Sequence, residues 1–451
     1  MKILKKTILV LLIPLLLAMP SLTLAESDYE EGDGWIYRDG ELKVITNDGL
    51  INFLNHEFDV RGDPQHKHTA DDVDHVIIGK DVTDIFIDYI IGDCNPSSTT
   101  IEEGNPYFVI DQGWVVNKQT KTLFGAANVK KNKVKIVVEN IPAYIEHIGL
   151  CAFKDCHALK QVSIPSNVIS LGESCFSGCD SLTSITLPST TTSIGSGSFF
   201  KCTALSHINL GPAIKEIGTG AFNVCMKLES SSLYATNVEI IKDNTFWGCD
   251  KFQVVELPST LERIDDIAFM LCHNLQTLVF HSDHLRIENE AFSNCEKVRS
   301  LVFTKGKPDY IGDTLFGEDE RTPDGKSYIT RFHDAKGKTF SYPTLYYTAA
   351  YAGEWAPNGE TEWNGYQIQQ ISQEELDAIL AEARGEEAPA ASASPMATET
   401  PQAESPMPDK TKTATNPAPA LNVEALLLFA IGIAAIAVVV MAVLRKQRSK
   451  K

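Results

Sequence analysis

Between residues 141 and 316, apolar positions recur at a spacing much longer than the period of one helix or strand. A phenylalanine stands at 153, 176, 199, 222, 246, 269, 292 and 316, in steps of 23 or 24 residues. Five residues before each comes Ile148, Leu171, Ile194, Ile217, Ile241, Ile264, Ile287 or Ile311. Three residues after the first seven comes Cys156, Cys179, Cys202, Cys225, Cys249, Cys272 or Cys295. Six residues after the same seven comes Leu159, Leu182, Leu205, Leu228, Phe252, Leu275 or Val298. Self-similarity at a fixed period in the 20s is the signature of a solenoid, whose coils bury their apolar side only by stacking.

One unit, residues 159–179 (LKQVSIPSNVISLGESCFSGC), shows what each coil contains. Leu159, Val162 and Ile164 predict a strand with alternate side chains inward, and Pro165 ends it. Val168 and Leu171 predict a second, shorter extended piece, and Gly172 is expected to permit a turn. Phe176 and Cys179 are expected on a tight helical turn that points back into the core. The predicted fold is therefore a β-rich solenoid with short helical turns. Its internal ladder is Phe153, Phe176, Phe199, Phe222, Phe246, Phe269 and Phe292 with the seven cysteines named above.

The recurring pattern IPxxVxxIGxxAFxxCxxL resembles the BspA-like leucine-rich repeats of bacterial and protist surface proteins. Residues 141–159, IPAYIEHIGLCAFKDCHAL, match it nearly throughout. The solenoid is assigned to 76–316, with regular repeats over 141–316. Val76 to Ile85 reads as a degenerate first coil, and 101–124 resembles the family's hairpin-bearing insert. Lys242, Asp265 and Glu288 replace the turn glycine and Asp319 takes the cysteine register, so the array is expected to fade by 316. Residues 26–75 read as a short β cap at the N-terminal edge, where an uncovered sheet edge invites strand addition. Residues 317–384 read as a C-terminal cap with a helix over 372–384. The resemblance implies a surface protein, with adhesion-type roles in some relatives.

The two ends add a topology. Lys2, Lys5 and Lys6 precede an apolar run that closes on small residues before Ala25, the layout of a secretory signal peptide over 1–25. Residues 425–444 are uninterrupted apolar and are followed by Arg445, Lys446, Arg448, Lys450 and Lys451. That predicts a transmembrane helix with a cytoplasmic tail, 445–451, and everything before it outside. Residues 385–420, rich in Pro, Ala, Ser and Thr, read as a disordered stalk. An LPxTG-type sorting motif is missing, so a retained single-pass membrane anchor is expected rather than covalent attachment to a cell wall.

Charge then excludes one class of partner. The formal net charge of −19 includes three lysines at the start and five basic residues at the end, so the stretch between them carries −27. Such a surface repels phosphate backbones, and no nucleic-acid partner is expected. The ten cysteines of an exported chain first suggest disulfides. Seven of them share one column, stacked about 4.8 Å apart with side chains parallel, which favours free thiols. Any single disulfide would be sought among Cys94, Cys151 and Cys175. No zinc site is expected, because ligands a coil apart do not converge. His66, His68, Asp71, Asp72, Asp74 and His75 read as a polar loop without a metal register, and Arg61-Gly62-Asp63 is too short a match to carry weight.

No nucleophile elbow, phosphate loop or other catalytic signature occurs, so neither an enzyme nor a cofactor is expected. What remains is the concave face. The outward positions of successive strands are Gln161 and Ser163, Ser184 and Thr186, His207 and Asn209, and Ser230 and Ser232. They continue as Val254 and Glu256, Thr277 and Val279, and Ser300 and Val302. This nearly uncharged row is the candidate binding surface, for an extracellular or host protein in an adhesion-type role. The alternative is an envelope protein that contacts cell-wall glycan without a dedicated protein partner.

Overall fold

The computed structural model describes residues 29–32, 34–49, 73–83, 97–127, 141–229, 232–312, 314–317, 319–321, 328–333 and 339–386. The signal peptide, membrane span, tail and nearly all of the stalk lie outside these residues. So do Cys94, Ser230, Arg61-Gly62-Asp63, and His66 to Asp72. Among the described residues, no helix is long and apolar enough to cross a membrane.

Each coil contributes to two parallel ladders. The short-strand ribbon stacks His147–Ile148, Ser170–Leu171, Ser193–Ile194 and Glu216–Ile217 in register. It resumes with Ile240–Ile241, Arg263–Ile264, Arg286–Ile287 and Tyr310–Ile311. One apolar residue per rung, from Ile148 to Ile311, points into the core. The long-strand sheet stacks Ser184–Thr186 on His207–Asn209, then Val254–Glu256, Thr277–Phe280 and Ser300–Phe303. Its rungs do not stop at 316. Thr344–Thr348 and Tyr366–Ile371 continue the same parallel sheet, with Leu301 paired to Leu345 and Leu345 to Ile368. The apolar pattern persists there, but an intervening stretch from 317 to 343 hides its spacing.

The segment between the two ladders is not helical. It consists of tight turns with left-handed residues two before and two after each phenylalanine from Phe153 to Phe292. In the coil of Phe222 these are Gly220 at φ 62° and Val224 at φ 61°; in that of Phe269, Ile267 at 54° and Leu271 at 62°. A branched residue there costs on the order of 1–3 kcal/mol, so stacking must hold it. It does so through a third ladder, in which Phe176 N donates to Ser198 O at 2.8 Å and Phe199 N to Ala221 O at 2.8 Å. Inside this turn the rings stack face to face: Phe153–Phe176 at 4.9 Å and 4°, Phe199–Phe222 at 5.3 Å and 2°. Trp114 closes the stack edge-on at 5.5 Å from Phe153.

Gly172 serves close approach rather than the turn itself. A Cβ there would lie 2.7 Å from the carbonyl carbon of Gly149 and from the amide nitrogen of Leu150. The N-terminal strands Tyr29–Gly32, Trp35–Arg38 and Glu41–Val44 form an antiparallel meander, and the last pairs in parallel with His75–Ile78. The hairpin insert is a two-faced wall. Trp114, Val116 and Leu123 join the main core, whereas Val115 and Phe124 join a smaller core with Trp35, Leu42 and Ile78.

Two helices are used below: α1, Ala352–Trp355, and α2, Gln373–Arg384. A capping box between Ser372 and Glu375 starts α2, and Gly385 at φ 68° ends it.

Candidate functional site

The outward face of the long-strand sheet divides into two halves with different chemistry. In the first, Ser163 bridges to Thr186, Ser184 pairs with His207, and Thr186 pairs with Asn209. Gln161, Ser163, Thr186 and His207 are exposed and Ser184 is half-buried. Their side chains make no hydrogen bond among the described residues, so water or a ligand must satisfy them. A shallow hollow lined by Leu187, Pro188, Thr191, Asn209, Pro212 and Ile214 opens beside them.

Asn209 and Ser232 differ from that set, because each side chain already bonds the backbone of the preceding coil. Asn209 Oδ1 accepts from Leu187 N at 2.7 Å and its Nδ2 donates to Leu187 O at 3.1 Å. Ser232 Oγ accepts from Leu210 N at 3.0 Å and donates to Ile208 O at 2.9 Å. Here the sheet is interrupted between His207–Asn209 and Val254–Glu256. On that side the Ser232 hydroxyl supplies partners to the backbone of Ile208 and Leu210, whereas the Asn209 amide extends the intact pairing with the preceding coil, because backbone groups must find partners.

The second half is covered. Helix α2 packs on Val254–Glu256, and Ile371 and Leu376 join Val279 and Val302 in a separate apolar cluster. Tyr346, Ile379 and Leu380 flank that cluster. Glu256 and Ser300 are each only 3% exposed, and Thr277 is half-buried. These three candidates therefore lie under or beside the chain's own helix instead of on an open face. The sequence carried the signal in Val254, Val279 and Val302, which stand where the first half has polar residues. Apolar side chains on both faces of a strand require a second cover.

Glu256 is the polar centre of the covered half. Arg384 grips it with both ends of its fork: Nε donates to Oε2 and Nη2 to Oε1, each at 2.7 Å. His281 Nε2 lies 2.9 Å from Oε1, and His281 Nδ1 lies 2.8 Å from Thr304 Oγ1. Burial pushes the carboxyl pKa up, but hydrogen bonds from His281 and Arg384 outweigh it and leave the group below its ordinary range. Arg384 also stacks over Tyr234 at 4.8 Å.

The cysteine column is a structural site with its own chemistry. Cys179 Sγ donates to Phe153 O at 3.0 Å, Cys202 to Phe176 O at 3.1 Å and Cys225 to Phe199 O at 3.1 Å. The pattern continues through Cys249, Cys272 and Cys295. Each of these thiols thus adds a second hydrogen bond to a phenylalanine carbonyl that already accepts from the cysteine N–H of its own coil, so it is a weak donor as well as a small apolar group. All nine described cysteines, Cys151 and Cys175 included, are buried, and none is joined to another in a disulfide. Burial holds the Cys175 and Cys225 thiols well above their ordinary range.

Residues 130–251 and 232–321 match the family described as BspA type Leucine rich repeat region, in six copies. The solenoid is a BspA-type leucine-rich repeat region. No curated protein matches the chain. Among solved structures, the chain is similar to a leucine-rich repeat protein from Eubacterium ventriosum (21% identity, TM-score 0.38, 59% of this chain and 63% of that one). It spans less than two thirds of that protein. A leucine rich cell surface protein from Faecalibacterium prausnitzii gives 18% identity and a TM-score of 0.32, over 61% of this chain and 97% of the other. A T. pallidum leucine rich repeat protein gives 21% and 0.34, over 43% and 88%.

Within these BspA-type repeats, the candidate row is brought together only in part. Gln161, Ser163, Ser184, Thr186 and His207 form one patch, whereas Glu256, Thr277 and Ser300 belong to the covered half. Among the described residues, no group of three or more His, Cys, Asp or Glu could hold a metal ion. His75 lies 2.6 Å from Ser98 Oγ and 3.0 Å from Thr100 Oγ1, along the sheet of the first coils.

Proposed function

We propose that this chain is a surface protein whose BspA-type solenoid binds an extracellular protein partner through the open half of the long-strand face. One observation carries the reading: Ser184, Thr186 and His207 on a two-stranded parallel sheet, Ser163 bridged to Thr186, and Gln161 beside it have no side-chain hydrogen-bond partner among the described residues. Short hydroxyls, an amide and an imidazole on a flat, uncharged strip suit the mixed donors and acceptors of a protein surface. The apolar core behind the strip holds these groups in place, which lowers the entropy lost on binding.

The remainder of the proposal follows from sequence. A cleaved leader exports the chain, and the apolar stretch 425–444 with its basic tail retains it in the membrane. The formal charge of −27 outside the two basic ends keeps the outer surface solvated.

The test measures binding of the full chain, in detergent, to immobilised extracellular-matrix proteins and to purified cell-wall glycan. A saturable isotherm on one protein, weakened at least tenfold by His207→Glu with Thr186→Arg, supports the proposal. Saturable binding to glycan alone would replace it with the envelope reading.

A further inference from the structure

The covered half of the long-strand face has the composition of a ligand groove rather than of an ordinary interior. Its floor is Val279, Val302 and Tyr346, and a single carboxylate, Glu256, stands at one end. What lies on it is a helix joined to the last rung with no linker, since Ile371 ends the strand and α2 begins at Gln373. The sheet beneath is hydrogen-bonded rung to rung without any contribution from that helix. The helix places Leu376, Ile379 and Leu380 against the apolar floor and Arg384 on Glu256, and buries two small side chains besides, Ala381 and Ala383. Such a contact is small, tethered at one end and local, which are the properties of a unit that opens without unfolding its neighbours.

The far end of α2 reaches the boundary of the open half. Arg384 lies over Tyr234, two residues beyond Ser232. Lifting α2 would therefore join the covered groove to the open row from Gln161 to His207.

We infer that α2 is a displaceable lid, and that the groove beneath it accepts an amphipathic helix from a partner protein bearing an arginine. The groove specifies this chemistry. Its lid presents apolar residues at 376, 379 and 380 and a guanidinium at 384, so a competing helix needs the same stripe and a cation one turn beyond it. The planar fork matches the carboxylate at two points, which a lysine cannot do. The groups facing Glu256 are Arg384 from the lid and His281 from the adjoining rung, so removal of the lid leaves a buried carboxylate with one partner fewer. A ligand cation restores what the lid supplied. This rests on the reading of the solenoid as a binding protein and extends it to the second half of the same face.

The test uses the full chain and a fluorescein-labelled peptide with the sequence of residues 371–386. Wild-type chain should bind the peptide poorly, because α2 occupies the groove at high local concentration. Arg384→Ala should improve peptide binding at least tenfold, and adding Glu256→Gln should abolish the gain. Hydrogen exchange on Arg384→Ala should accelerate across 373–384 while Thr277–Phe280 and Ser300–Phe303 stay protected. The inference is overturned if α2 and those strands lose protection together, or if Arg384→Ala binds the peptide no better than wild type. The peptide reads only the covered groove, so its failure leaves the His207 and Thr186 test of the open half unaffected.

Discussion

The residues that recur in each coil are those whose chemistry stacking makes unavoidable. Cys225 shows why a thiol occupies its register: it fits a closed space and donates to Phe199 O at 3.1 Å. Cys225→Ala removes that bond while Phe199 O keeps the one from Cys202 N at 3.0 Å, and we expect a loss of about 0.5–1.5 kcal/mol in denaturant titration. Cys225→Ser keeps a donor but buries a stronger polar group, and should cost less than alanine. All nine described thiols should resist an aqueous thiol reagent in the native chain and react once it is denatured, because only a thiolate attacks. Gly195 makes a complementary point. A Cβ there would sit 2.6 Å from Glu173 N and Gly172 C, both backbone atoms that cannot yield. Gly195→Ala should therefore destabilise by about 1–3 kcal/mol, the usual range for overpacking. The period disclosed the positions of Cys225 and Gly195 but not their roles, since a hydrogen bond or a close approach leaves no trace in spacing.

At the scale of elements, the phenylalanine stack is the common spine. Rings in the middle lie nearly parallel, whereas Phe269–Phe292 and Phe292–Phe316 tilt by 34° and 33°. The tilt grows from 1° at Phe222–Phe246 to 21° at Phe246–Phe269 before it reaches these values. Phe199→Ala should cost about 3–5 kcal/mol, since both neighbouring coils lose a stacked face. For α2, pH offers a second handle. Glu256 titrates below its ordinary value when folded, so its contribution is present above the unfolded pKa of about 4.3. It is lost as pH falls through the folded value. Acidification into that range should release α2, seen as faster exchange over 373–384. Glu256→Gln should reduce the pH dependence to the part contributed by Glu375, which its hydrogen bonds with Ser372 also hold below the ordinary value.

For the whole molecule, the sequence was most legible where one coil predicts the next and least where an element interacts outside that order. The two ladders, the core registers and the open half followed from the spacing of Ile194, Phe199, Cys202 and Leu205. The rungs at 344–348 and 366–371 did not, because the residues from 317 to 343 break the count. Nor did the return of α2 over Val279 and Val302, since Arg384 meets Glu256 across 128 positions. The site was therefore read as one continuous row, when one half is open and the other lies under a helix.

A mutational map of the two sides of the solenoid tests this account most directly. Thr186→Arg and His207→Glu alter the open half, while Glu216→Arg and Arg286→Glu alter exposed positions of the short-strand ribbon, with larger individual charge changes and the same zero sum in each pair. For a protein ligand bound by wild-type full chain, the first pair should raise Kd at least tenfold and the second should change it less than twofold, with thermal unfolding unchanged in both. Equal losses from the two pairs, or loss only from the ribbon pair, would contradict binding through the open half of the long-strand face.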